Sequence, residues 1–152
     1  MGGDLKIAAE ILETENQSLV VVRDGRKLFS SSLPGVKSLL DALDSDVLPG
    51  SAVADKVIGR AAAMIAALGE VKAVHTPLMS QGAAEVFSSA GILYSAEKIV
   101  PCIKNRQGTG PCPIEAATEF TVVPEKGVAA IRQLLQELQG ANKTQQAEKV
   151  IH

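Results

Sequence analysis

The chain has 152 residues, a formal net charge of −2, a hydrophobic fraction of 46% and a charged fraction of 21%. This length fits one domain around one core, and the balanced composition argues against a disordered chain and against a nucleic-acid polymer as partner. Aromatic residues make up only 3% of the chain, so the aromatic platforms on which nucleic-acid bases stack are hard to build.

The amino terminus and the cysteines indicate a cytoplasmic protein. The first residues lack a basic region followed by an apolar run, and no apolar stretch approaches the roughly 20 residues of a membrane span. Two cysteines, Cys102 and Cys112, are fewer than a small disulfide scaffold carries. We therefore expect free thiols, with a bridge across the intervening loop as the alternative, and no membrane partner.

Local signals in the first third of the chain are those of a helix, a hairpin and a second helix. Asp4 can cap a helix whose apolar residues recur at helical spacing, and Asp24-Gly25 is typical of a tight type I′ turn. The residues before Pro49-Gly50 are again helical in pattern. The predicted elements are a helix over 5–16, strands over 18–23 and 27–31, and a helix over 36–46.

The remainder alternates helices and strands. An alanine-rich helix is predicted over 55–68, Ser80 can cap the next helix and Gly91 can end it, and Pro124 opens the last one. The strands between them cover 71–79 and begin again at 92. This order predicts an α/β fold with a mixed sheet and helices on both faces, in one domain over 1–140 with a frayed or helical tail over 141–152.

The segment from Arg106 to Glu115 concentrates the polar and glycine chemistry. Glycines let the backbone approach a ligand, and a helix starting near residue 113 would favour the thiolate of Cys112. Cys112 is thus a candidate nucleophile, and the alternative is a capped turn in which it is a small buried hydrophobe. Ligand-binding backbone is expected at Gly108, Thr109 and Gly110.

The charged start of the predicted helix over 55–68 is a second candidate. Asp55, Lys56 and Arg60 are either solvated groups around a helix terminus or polar groups at a cleft. Gly59 is unusual inside a helix and suggests close approach by a backbone or a ligand.

The chain lacks the motifs of common cofactor enzymes. It has no phosphate-binding P-loop, no GxGxxG and no GxSxG, and we expect no cofactor. His75 is the one internal histidine, so a three-ligand catalytic zinc site cannot be assembled in the usual way. His75 is expected to be structural, and an oxygen-dominated metal site of Asp55, His75 and Glu115 is a minor alternative.

Four segments together resemble a small bacterial family of unknown function in the cytidine deaminase-like superfamily. They are ADKVIGRAAAMI, VKAVHTPLMSQGA, GILYS and NRQGTGPCPIE, and the resemblance covers most of the chain. It implies a three-layer α/β/α sandwich with a mixed sheet.

The zinc signature of this superfamily is missing. Zinc deaminases place His or Cys, and a Glu two residues on, at one helix start, and Pro-Cys-x-x-Cys at the next. The corresponding positions read DKV from Asp55 and PLMSQ from Pro77, which supply neither the thiolates nor the Glu. The resemblance therefore implies the fold without zinc-dependent deamination.

Two hypotheses follow. In the first, the chain binds a small polar or nucleotide-like ligand in the former deaminase cleft, and Cys112, Asp55 or Glu115 carries any chemistry. The residues expected to bind the ligand are Lys56, Arg60, Ser80, Gly108, Thr109 and Gly110. In the second, the chain is a non-catalytic binding or assembly module that forms a homo-oligomer.

Overall fold

A computed structural model describes residues 3–33, 35–103, 116, 118, 121 and 123–151, with side chains as far as residue 137. The helices are α1 (Gly3–Thr14), α2 (Val36–Asp44), α3 (Arg60–Leu68), α4 (Gln81–Ala90) and α5 (Pro124–Ile151). The strands are β1 (Leu19–Arg23), β2 (Arg26–Ser31), β3 (Ala52–Asp55), β4 (Val57–Ile58), β5 (Ala73–Ser80) and β6 (Leu93–Val100). Within these ranges, no helix combines the length and the apolar character needed to cross a membrane.

The strands form one mixed sheet. β1 pairs antiparallel with β2 on one side and with β3 on the other, whereas β3, β4 and β6 all pair parallel with β5. β3 and β4 follow one another along the same side of β5, and β6 occupies the other side. The expectation of a mixed sheet is confirmed, and β5 lies in its interior.

Side chains alternate between the two faces of the sheet and build two apolar clusters. Leu19 and Val21 of β1 join the main cluster with α2, α3 and α4, while Val20 and Val22 pack in a smaller cluster against α1. This alternation is the period of two that an extended strand imposes. Helices therefore cover both faces, as predicted, and the α/β three-layer arrangement is confirmed.

The helix predicted over 55–68 is wrong in its first five residues. Asp55 ends β3, Val57 and Ile58 form β4, and α3 begins only at Arg60, with Gly59 as its N-cap. The alanines give the segment high helix propensity, but β-branched side chains favour strands, and pairing with β5 takes both β-branched residues. Gly59 is thus a boundary residue and not a helix-interior one.

The predicted hairpin is confirmed, and Asp4 supports it. Asp24 and Gly25 have φ angles of +54° and +77°, the positive values that a type I′ turn requires. The backbone N–H groups of Asp24 and Gly25 donate to the two carboxylate oxygens of Asp4 at 3.0 and 2.8 Å. Asp4 lies inside α1, so its carboxylate joins the first turn of this helix to the hairpin.

We expect Asp4→Ala to lower the free energy of unfolding by about 1 kcal/mol, because it removes two charge-assisted hydrogen bonds at a partly exposed site. Glu10→Ala removes the same charge from an exposed position of the same helix and should change stability by less than about 0.5 kcal/mol. Chemical denaturation of both variants measures the difference. Equal effects would mean that the contact with the turn contributes nothing.

Candidate functional site

The carboxyl ends of the parallel strands lie at one edge of the sheet. β4, β5 and β6 run in the same direction, and two of them are followed directly by helices: α3 after β4 and α4 after β5. In parallel α/β sheets this edge is where ligands bind, because loops and helix N-termini converge there. Ser80 ends β5 and Arg60 begins α3 at this edge, whereas Asp55 ends β3 and lies level with Thr76, near the middle of β5.

Asp55 is a half-buried carboxyl group at the end of β3. Its oxygen Oδ1 accepts a hydrogen bond from the backbone N–H of Val57 at 3.3 Å, and no basic side chain among residues 3–33 and 35–103 pairs with it. Loss of hydration raises the pKa of Asp55 to about 7, although hydrogen bonds from the backbone of Val57 and Lys56 act in the opposite direction. This carboxyl group therefore exchanges its proton near neutral pH.

Lys56 faces the opposite side of the sheet from Asp55. Ala54 packs in the α1 cluster, and Lys56 lines a cavity with Leu12 of α1, so Asp55 between them faces α3. The ammonium group of Lys56 donates to Asn16 Oδ1 at 3.0 Å. The extended backbone therefore directs Asp55 and Lys56 to opposite sides of the sheet, whereas a helix start would have kept them close together.

Arg60 joins three parts of the molecule near the same edge. Its guanidinium group donates to the carbonyl oxygens of Thr118 (3.1 Å) and Thr121 (2.8 Å), and it lies 3.7 Å from a carboxylate oxygen of Glu85 on α4. A Cβ atom on Gly82 would lie 3.4 Å from Arg60 Cβ, so the first turns of α3 and α4 are close neighbours. A cavity of about 400 Å³ lies beside Arg60, between α4 and the start of α5.

Ser80 caps α4 as predicted. Its side chain accepts the backbone N–H of Ala83 at 3.1 Å, and Gly91 ends the helix in the left-handed conformation. Ser80 is only 2% exposed, so the hydroxyl group supports the edge from within the protein.

Ser80→Ala should destabilise the protein by about 1 kcal/mol, because the N–H that it caps loses its acceptor. Ser88→Ala makes the same change at an exposed position within α4 and should be neutral or slightly stabilising, since alanine has the higher helix propensity. Thermal unfolding of the two variants should give shifts of opposite sign. Matching shifts would exclude a capping role.

The loop candidates Gly108, Thr109, Gly110, Cys112 and Glu115 lie outside the described residues. β6 ends at Val100 and the described chain continues to Ile103; farther along, the carbonyl oxygen of Thr118 accepts a hydrogen bond from Arg60 at the start of α3. Both points belong to the end of the molecule at which β4, β5 and β6 finish. Cys102 is exposed and lines an apolar cavity of about 650 Å³ with Val57 and Leu78.

The two helix starts at this edge do not supply a zinc site. They read Gly59-Arg60-Ala61 and Ser80-Gln81-Gly82, without a thiol, an imidazole or a carboxylate. The correspondence of Asp55-Lys56-Val57 with a helix start is wrong, because Asp55 ends β3, Lys56 links the two strands and Val57 begins β4. Among the residues described, no three His, Cys, Asp or Glu side chains come together as metal ligands. Glu115, the third ligand of the alternative site with Asp55 and His75, lies outside these residues.

Sequence reasoning missed two features of the site. Thr76 follows the position paired with Ala54, which places it beside Asp55 on the neighbouring strand, and it is fully buried. Its hydroxyl group bonds the backbone of Leu78, accepting from N–H at 3.2 Å and donating to the carbonyl oxygen at 3.0 Å. The other feature is a cavity of about 430 Å³ on the α1 face, where His75 and Glu97 meet the end of α1. Strand pairing brings these residues together, and no local sequence motif indicates that they are neighbours.

The order of elements, the mixed sheet and the convergence of helix starts define an α/β sandwich protein. The chain belongs to the DUF1893 (TM1506) family, a domain of unknown function whose model matches residues 7–135. It is similar to the crystal structure of a DUF1893 family protein (TM1506) from Thermotoga maritima, with 27% sequence identity and a TM-score of 0.80. This match covers 90% of the present chain and 92% of the Thermotoga chain. A comparison with curated proteins finds no match.

Proposed function

We propose that the protein binds a small polar, nucleotide-like ligand near the carboxyl-terminal edge of its parallel strands, with Asp55, at the end of β3, as the group that contacts it. One observation carries the proposal. Asp55 is a half-buried carboxyl group at a strand end, and no described basic side chain balances it. A group that loses hydration without a partner in the protein is a strong candidate to meet one on a ligand.

The chemistry available to such a site is proton exchange. A carboxyl group that titrates near pH 7 can donate a hydrogen bond to a ring nitrogen or carbonyl oxygen, and can act as a general acid or base at neutral pH. We assign Cys112 and Glu115 to the same edge, with Gly108, Thr109 and Gly110 offering backbone groups. The support for this assignment is that the chain leaves β6 at this edge and is bound again by Arg60.

We further propose that the fold is related to the cytidine deaminases and that its chemistry is independent of zinc. Parallel strands followed by helices that start at one edge support the first part. The absence of zinc ligands at Gly59-Arg60-Ala61 and Ser80-Gln81-Gly82 supports the second. The residues present at these helix starts do not fit a zinc ion.

Native mass spectrometry of freshly purified protein, followed by thermal shift against bases, nucleosides and nucleotides, tests the proposal. We expect a co-purifying small molecule, or a stabilising compound, whose effect is lost in Asp55→Asn. Asp41→Asn removes a carboxylate from the exposed face of α2 and should leave the response intact. An empty spectrum together with an unresponsive panel, or an equal response of Asp55→Asn, would refute ligand binding at Asp55.

The contribution of Cys112 requires its own experiment. Cys102 is exposed and should react readily with iodoacetamide, so the rate at Cys112 is best measured in a Cys102→Ser background. We expect fast alkylation of Cys112 and protection by any compound found above. Slow alkylation without protection would remove Cys112 from the site.

A second candidate function, assembly as a homo-oligomer, is favoured by the surface of β6. Within the described chain this strand pairs only with β5, and its Leu93 and Ile99 side chains are 70% and 47% exposed. A long edge strand with exposed apolar groups is a site of association between chains. Light scattering after gel filtration should then give a stable oligomer that Leu93→Lys weakens, and a monomer at all concentrations would exclude this candidate.

A further inference from the structure

The cavity on the α1 face of the sheet is a second place where charged groups converge. The sheet separates this cavity, which Lys56 lines, from the candidate site at Asp55 on the opposite face. The cavity lies beside the end of α1, which finishes at Thr14. Its volume is about 430 Å³, within the range of about 300 to 1,000 Å³ that is typical of small-molecule sites. The residues that line it are Ala9, Leu12, Glu13, Asn16, Lys56, His75, Pro77 and Glu97.

Two nitrogen-bearing side chains that line this cavity, Lys56 and His75, can bind a carboxylate. The ammonium group of Lys56 is oriented by Asn16 Oδ1 at 3.0 Å, which leaves further N–H donors for a ligand. His75 Nδ1 lies 3.2 Å from Ser95 Oγ, and this contact fixes the ring while Nε2 remains available. A nitrogen group from the link between β3 and β4 and another from β5 therefore line one cavity.

Two carboxylates, Glu13 and Glu97, line the same cavity and can bind an ammonium group. Glu13 comes from the last turn of α1 and Glu97 from β6, and no described side chain donates a hydrogen bond or forms an ion pair with either. No three described side chains here form a metal-ligand group, so a bound metal ion does not account for them. Both carboxylates are exposed to solvent, so a positively charged ligand group could interact with either of them.

Part of the cavity wall is apolar. Ala9 and Leu12 of α1 and Pro77 of β5 supply aliphatic surface. A ligand that satisfies all three parts carries one positive charge, one negative charge and a small aliphatic group.

We propose that this cavity binds a zwitterionic amino acid with an aliphatic side chain, its carboxylate at Lys56 and His75 and its ammonium group at Glu13 and Glu97. The required charge pattern distinguishes this ligand from a simple amine or a simple acid. The site shares no side chain with the edge at Asp55.

Isothermal calorimetry with L-leucine and two truncated analogues tests the proposal. We expect leucine to bind, and 4-methylpentanoate, which lacks the ammonium group, and 3-methylbutylamine, which lacks the carboxylate, each to bind at least about tenfold more weakly. Equal affinity of the amine, or of the acid, would overturn the zwitterion. Failure of leucine to bind at about 10 mM would overturn the site.

Matched variants locate the binding. Glu13→Gln and Glu97→Gln should each weaken leucine binding about tenfold, while Glu10→Gln, on the same helix as Glu13 but outside the cavity, should not. Asp55→Asn should keep the affinity for leucine, which separates this result from that for the strand edge. A loss in Glu10→Gln equal to that in Glu13→Gln would show a surface-charge effect and refute the site.

Discussion

Replacing Asp55 with asparagine should make the folded protein more stable at pH 8 and leave its stability at pH 4 nearly unchanged. The folded state raises the pKa of this carboxyl group from 3.8 to about 7, because burial disfavours the charged form. Asp55 therefore contributes most to stability below pH 3.8, and that contribution is lost as the pH rises to 7, because the unfolded chain releases this proton first. Since Asp55 keeps part of its solvent contact, we expect a gain of about 2 kcal/mol at pH 8.

Urea unfolding of the two proteins between pH 4 and pH 8 measures this difference. Asp44→Asn is the control, because the hydrogen bond from Arg132 at 2.7 Å lowers the pKa of Asp44. That carboxylate stabilises the protein above its unfolded pKa and stops doing so as the pH falls through its folded value, so the control should be less stable at neutral pH and should regain stability in acid. A gain in Asp55→Asn that does not change with pH would show that Asp55 is fully hydrated.

The same variant separates stability from function. Charged Asp55 destabilises the folded state at neutral pH, and a neutral asparagine would lose less hydration free energy at the same place. Residues that lower stability in this way are typical of binding or catalytic positions. We therefore expect Asp55→Asn to be the more stable protein and the one that fails to respond to the ligand. Gain of stability with loss of binding is a combination that a purely structural role does not produce.

Local sequence was enough to predict the elements whose ends carry turn or capping residues. Asp24-Gly25 determines its turn through two positive φ angles, and Ser80 and Gly91 determine the two ends of α4 through one hydrogen bond and one left-handed residue. Each signal acts within four residues of itself, so no knowledge of the rest of the chain is needed.

The stretch over 52–58 could not be predicted in the same way. Its strand character comes from pairing with β1 and β5, which lie far away in sequence, while the alanines that follow favour a helix. The error carried into the site, because a helix start would place Asp55 and Lys56 together, whereas a strand places them on opposite faces. Local sequence thus identified Asp55 and Lys56 as candidate site residues, but it did not predict which residues lie next to each of them.

Gly69 follows α3 at a position where a glycine that ends a helix commonly has a positive φ. Its φ is −77°, however, and the following residue, Glu70, takes the left-handed conformation at +60°. The glycine is required because a Cβ atom there would lie 2.6 Å from Leu48 Cδ1 and 2.8 Å from Leu48 Cβ. Leu48 is fully buried, and rotation of its side chain cannot move its Cβ.

Gly69→Ala should accordingly destabilise the protein by about 2 to 3 kcal/mol, because the loop carrying Leu48 has to shift within a packed core. Thermal unfolding should show a midpoint lower by about 5 to 10 °C. Gly3→Ala, at a glycine with open space around its Cβ position, should change the midpoint little. Glu70→Gly should stabilise the protein by about 0.5 kcal/mol through its positive φ, so the opposite signs at neighbouring positions distinguish close packing from backbone conformation. A harmless Gly69→Ala would mean that Leu48 is loosely packed and that the end of α3 is not anchored to the core.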